Sequence, residues 1–125
     1  MKVRNQKLTA SFRNALEGIV IAFKTQRNIR IHVTMSIMVV LAAFYFKLPP
    51  RDFALILLVI GLVITAELLN TAIEAIVDLV MPEWHALAKI AKDTAAGAVL
   101  VAAGVAVVIG LLLFYKPVMI WFGWY

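Results

Sequence analysis

Glu67, Asn70, Glu74 and Asp78 interrupt a predominantly apolar run over residues 53–80, at spacings of three, four and four. On a helix, at roughly 100° per residue, all four fall on one face within an arc of about 80°. A carboxylate in or near hydrocarbon must be paired, hydrated, metal-bound or protonated, so the stripe predicts function. Glu74 and Asp78, one turn apart, have the character to hold a hard cation such as Mg²⁺ together with phosphate oxygens.

The elements that must position this stripe follow from composition. The chain has 125 residues, 64% hydrophobic and 15% charged, with mean hydropathy +0.97, which is the composition of a membrane protein. Apolar runs over 31–48, 53–80 and 94–115 are expected to span a hydrocarbon core of roughly 30 Å. Over residues 6–28, Leu8, Phe12, Ala15, Leu16, Ile19 and Phe23 share a stripe, while Arg13, Glu17 and Lys24 point away. That pattern predicts an amphipathic helix lying on the membrane surface. The expected fold is all-α, one domain over 1–125, with a surface helix and three transmembrane helices.

Seven basic residues (Lys2, Arg4, Lys7, Arg13, Lys24, Arg27, Arg30) precede the first span against one acid, Glu17. The excess predicts a cytoplasmic N-terminus, with the 81–93 segment returning to the same side. No cleaved signal peptide is expected, because residues 1–30 are basic and amphipathic. Cysteine is absent, which removes disulfides and thiolate metal sites. His32 and His85 have no zinc-ligand spacing.

With the second helix entering at Phe53 and rising about 1.5 Å per residue, Glu67 lies roughly 8 Å inside hydrocarbon, while Glu74 and Asp78 reach the cytosolic interface. This gradient suits transfer between a lipid and a water-borne reagent, with Glu67 as general base for an alcohol. The same stripe could instead serve interhelical hydrogen bonding in an oligomer or a proton path, although no ionisable residue continues it from Phe53 to Ala66. Pro82 ends the run, and Asp93 is read as N-cap of the third span. Lys92 there could meet phosphate oxygens. No GxxxxGK[ST] loop, HRD or DFG signature or GxSxG elbow occurs, so the soluble kinase templates do not apply. Ala95, Gly97, Ala102, Gly104 and Gly110 run through the third span and predict close helix association, hence a homo-oligomer.

The sequence Glu67-Leu-Leu-Asn70-Thr-Ala-Ile-Glu74-Ala-Ile-Val-Asp78, followed by Glu83-Trp84-His85, Ala91-Lys92-Asp93 and a small-residue third span, resembles the prokaryotic diacylglycerol kinase family. These are small integral-membrane lipid kinases. The resemblance implies a homotrimer in the bacterial inner membrane, multi-pass, with its site on the cytoplasmic side and shared between subunits. It implies transfer of the γ-phosphate of MgATP to a lipid hydroxyl, with Mg²⁺ as cofactor and no nucleic-acid partner. By position it implies Glu67 as catalytic base and Glu74 as metal ligand. Asp78, Glu83, His85, Lys92 and Asp93, with Lys7 and Asn14 from the surface helix, join Glu74 as the nucleotide site, and Asn70 and Arg30 support or bind substrate. Where the family usually carries a second metal-binding carboxylate, this chain has Gln26, a neutral oxygen donor. The stretches Arg27–His32 and His85–Asp93 resemble the Gram-positive branch, which implies undecaprenol as acceptor, with diacylglycerol as the alternative and a small proton-coupled transporter as a third reading.

Overall fold

A computed structural model describes residues 7–125 as four helices: α1 (Leu8–Thr25), α2 (Arg27–Tyr45), α3 (Pro50–Val80) and α4 (Ala86–Trp121). No strand occurs among the described residues, and Lys2 and Arg4 lie outside them. The last three helices are each long and apolar enough to cross a membrane. The chain exposes 9861 Å², against about 6,600 Å² for a soluble monomer of its mass. The surplus is apolar side chain, and lipid or further protein must cover it.

The amphipathic N-terminus is one helix, as its stripe predicts, but it stops at Thr25 rather than at 28. Gln26 is extended (φ −102°, ψ 120°) and separates α1 from α2. Arg30 Nη1 donates to the carbonyl oxygen of Lys24 (3.2 Å) and fastens this corner. Of α1, Ala22 alone is buried; Leu8, Phe12 and Leu16 are exposed. The apolar stripe therefore faces away from the rest of the chain, as a helix seated on lipid requires.

Helix starts depart from the hydropathy boundaries in one consistent way, while α2 ends at Tyr45 rather than 48 because the chain turns at Lys47. Each helix begins before its apolar run: α2 at Arg27 instead of 31, α3 at Pro50 instead of 53, and α4 at Ala86 instead of 94. Hydropathy marks what lipid can cover, whereas Ala, Lys and Asp continue a helix into water at little cost. Asp93 is consequently not an N-cap; it lies in the second turn of α4. The cap is His85, whose Nδ1 accepts from Leu87 N–H (3.2 Å). Pro50 sits at the first turn of α3, where its missing N–H costs nothing.

Between α2 and α3, Lys47 adopts a left-handed φ of 51°. Lys47 N–H donates to Phe44 O (3.1 Å) and Leu48 N–H to Ala43 O (3.0 Å), the paired bonds of a Schellman ending. The same bonds close α4, with Gly123 in the left-handed position (φ 74°). At this end of the bundle Phe44 meets Phe53 (centroids 4.9 Å) and Phe46 meets Phe114 (6.1 Å). Aromatic packing thus ties α2 to both later helices.

The tightest association is the α3–α4 hairpin. α3 buries Ile56, Val59, Val63, Glu67 and Asn70, spaced 3, 4, 4 and 3, and α4 buries Ala95, Val99 and Ala102. The small residues of α4 divide between two faces. Ala95 and Ala102 are buried, whereas Gly97 and Gly104 lie on the opposite side of the helix, where an added Cβ would meet nothing within 4 Å.

Candidate active site

The apolar stripe of α3 turns polar without changing face. Continuing Ile56, Val59 and Val63 by helical steps reaches Glu67, Asn70 and then Glu74, so the packing that seats α3 also aims its acids at the neighbouring helices. Burial falls along the stripe. Glu67 is 2% exposed and Asn70 7%. Glu74 is half-buried, and the Asp78 side chain is 64% exposed.

Glu67, at the buried end, faces α2. His32 Nε2 lies 3.2 Å from its Oε1, near enough for an ionic contact but off hydrogen-bonding alignment. Oε1 is thereby fully buried without a hydrogen-bond donor among the described residues. Thr71 does not supply one, since its hydroxyl donates to the backbone carbonyl of Glu67 (2.9 Å). His32 also borders an apolar cleft of about 390 Å³ between α2, α3 and α4, lined further by Met35, Val59, Val63, Ala103 and Ala106. The deepest acid of the stripe therefore stands beside a space chemically suited to a lipid chain.

About two turns further along α3, Glu74 gathers two amides. Asn70 Nδ2 donates to Oε1 (3.3 Å) and Gln26 Nε2 to Oε2 (3.5 Å). The extended break at Gln26 brings that side chain in, from 48 residues away in sequence. A half-turn of either amide presents its carbonyl oxygen instead, so Glu74, Gln26 and Asn70 form an oxygen donor set with one charge. Among the described residues no group of three His, Asp or Glu could enclose a metal ion. One carboxylate and neutral oxygens fit a Mg²⁺ that brings phosphate oxygens as its remaining ligands.

A third group surrounds the α3–α4 connection. Asp78 accepts from Lys92 Nζ (2.6 Å), and Lys89 pairs with Asp93 one turn along α4. With Glu83, Trp84 and His85 they bound a mixed polar cleft of about 400 Å³. Of the residues the sequence singled out, Gln26, Asn70 and Glu74 form one cluster, and Asp78, Glu83, His85, Lys92 and Asp93 line one cleft beside it. Lys7 and Asn14 join neither. At 1.5 Å per residue they stand roughly 28 and 18 Å along α1 from Gln26. Arg30 serves the α1–α2 corner. The sequence reading gives His32 no place at the site; the signal for it is that a lipid-depth carboxylate demands a partner from a neighbouring span.

A family model described as prokaryotic diacylglycerol kinase matches residues 13–114. The chain is 48% identical over 113 residues to a diacylglycerol kinase of Synechocystis, covering 90% of this chain and 65% of that relative's length, just under two thirds. It is 44% identical over 104 residues to an undecaprenol kinase of Bacillus subtilis, covering 83% and 85%. A diacylglycerol kinase of Pseudomonas aeruginosa is 38% identical over 88 residues, covering 70% and 72%.

Proposed function

The chain belongs to the prokaryotic diacylglycerol kinase family, and from that membership we propose that it is a membrane lipid kinase, an ATP-dependent phosphotransferase whose acceptor is the hydroxyl of a lipid. The observation that carries this reading is the graded stripe of α3: a buried carboxylate beside an apolar cleft, then a carboxylate among amide oxygens, then an acid–base pair at a polar cleft.

In this reading the lipid lies along the α2–α3–α4 cleft with its hydroxyl at Glu67, and the nucleotide occupies the cleft at the α3–α4 connection. The alcohol oxygen attacks the γ-phosphorus in line. Its bond to phosphorus forms as the bond to the bridging oxygen of ADP breaks, that electron pair leaves with ADP, and the alcohol proton passes to Glu67. Lys92 turns from Asp78 to the phosphate oxygens as a point charge. Glu74 and Gln26 would hold Mg²⁺, which when bound neutralises charge on the transferring phosphate. Most of the rate comes from positioning, because phosphoryl transfer asks little covalent chemistry of the protein.

The acceptor we propose is undecaprenol. Its support is the likeness to the Bacillus enzyme over most of both chains; the likeness to the Synechocystis enzyme supports diacylglycerol as the second reading. The basic N-terminal region supports a cytoplasmic site in the cell membrane. A homotrimer with shared sites is supported by the reach of α1, which carries Lys7 and Asn14 away from their own Glu74, and by the unoccupied glycine face of α4. The deciding experiment offers the purified protein labelled ATP and Mg²⁺ with undecaprenol and diacylglycerol side by side. Label in one lipid names the acceptor, and label in neither removes the kinase reading.

A further inference from the structure

Glu67 cannot orient itself. It is 2% exposed, its Oε1 is buried without a hydrogen-bond donor among the described residues, and the backbone and hydroxyl groups of its own turn are already engaged with each other. A carboxylate in that position costs several kcal/mol unless a donor reaches it. The side chain that reaches toward it is His32, whose Nε2 lies 3.2 Å from that same oxygen. The imidazole is held on the opposite helix, its own residue's carbonyl occupied by Ser36 Oγ (2.7 Å), and its ring also borders the apolar cleft.

We propose that His32 is a positioning residue for the acceptor side of the reaction: its Nε2–H, after a small rotation of the ring, donates to Glu67 Oε1 and so leaves Oε2 to take the proton of the lipid alcohol. This rests on the kinase reading. His32 contributes no bond to either substrate. It fixes which carboxylate oxygen faces the alcohol and keeps the buried carboxylate in place through the proton transfer. Because the contact is on the lipid side of the site, removal of His32 acts on turnover and leaves nucleotide affinity alone.

The test compares His32→Leu, which fills the volume without a donor, with His32→Gln, whose side-chain N–H reaches a similar position. Each is made in the wild-type background and with Glu67→Gln. Loss of one hydrogen bond to a charged group corresponds to a fall in kcat of about 10- to 100-fold in His32→Leu. The KM for ATP should stay within about twofold, and His32→Gln should recover a large part of the rate. In the Glu67→Gln background the His32→Leu change should have no further effect, since residues that act as one unit are not additive. A His32→Leu enzyme with wild-type kcat overturns the proposal. So does an undiminished effect of His32→Leu on top of Glu67→Gln, or a His32→Gln enzyme as slow as His32→Leu. If His32→Leu does not assemble, the kcat of His32→Gln relative to wild type decides alone: less than half of wild type refutes a donor role. Wild-type protein that labels neither lipid would instead remove the kinase reading, a result distinct from all of these.

Discussion

Gln26→Glu puts a second carboxylate against Glu74, and the structure fixes how much that should matter. The Gln26 amide nitrogen stands 3.5 Å from Glu74 Oε2, so two negative charges at that separation repel by about 1 kcal/mol in a water-like medium and about 5 kcal/mol at an effective dielectric of 20. Both side chains are half-buried, which places the cost between these limits; the lost amide hydrogen bond adds about 1 kcal/mol. Without metal, the variant should therefore unfold in detergent at a lower temperature than wild type. With MgATP the sign reverses, because the same two charges then attract a cation, and the gap in unfolding temperature should narrow or vanish. A recovery of 1.4 kcal/mol at the metal corresponds to a tenfold fall in the Mg²⁺ concentration for half-maximal activity. The assay is a Mg²⁺ titration of kinase activity at fixed ATP, beside thermal unfolding with and without MgATP. A Gln26→Glu enzyme with an unchanged Mg²⁺ midpoint, destabilised equally in both conditions, would show that the Gln26–Glu74 contact is structural and that metal binds elsewhere.

Glu67→Gln keeps the shape of the buried side chain and removes the base, so kcat should fall about 10²- to 10⁴-fold with little change in the KM for ATP; wild-type turnover would refute the role, and steady-state kinetics over both substrates checks it. Lys92→Ala should raise the KM for ATP about tenfold or more, with an effect that shrinks in high salt, since Asp78 is exposed and tolerates the loss of its partner; unchanged KM in low salt would place the phosphates away from α4. Lys47→Gly should stabilise the chain by about 0.5 to 1 kcal/mol, because a non-glycine residue in the left-handed region carries a penalty larger than the entropy glycine loses on folding. A lower unfolding temperature for Lys47→Gly would show that the lysine side chain contributes more at the membrane interface than its backbone costs.

The stripe on α3 was legible because helical periodicity is local: three- and four-residue steps place Glu67, Asn70, Glu74 and Asp78 on one face whatever surrounds them. The three spans were legible for the same reason, since hydropathy sums over neighbours in sequence. The helix starts were not. Lys89, Lys92 and Asp93 read as connection because they are charged, yet they form the first turns of α4, where the Lys89–Asp93 pair stands at helical spacing. The place of Gln26 was read through alignment to a family pattern, and its extended backbone, which delivers the side chain to Glu74, had no signature beyond the end of the amphipathic stripe. His32 carries no local signature, because its partner lies 35 residues away across a helix pair.

What periodicity could not supply is the partner of each acid, and the partners have a common logic. Glu67 is met from α2 by His32, Glu74 from the α1–α2 break by Gln26, and Asp78 from α4 by Lys92. Glu67 and Asp78 are about 16 Å apart along one helix, yet each acid is met from a different element. The site is therefore complete only when α1, α2 and α4 are all docked on α3. In a chain whose apolar surface is mostly left for lipid, these polar contacts carry a large share of the specificity of helix docking, because apolar side chains gain little by exchanging lipid for protein. Docking and site assembly are then one event, which is why the perturbations above are to be read in both unfolding and turnover: a residue that only joins helices moves the first, and a residue that acts on the substrates moves the second.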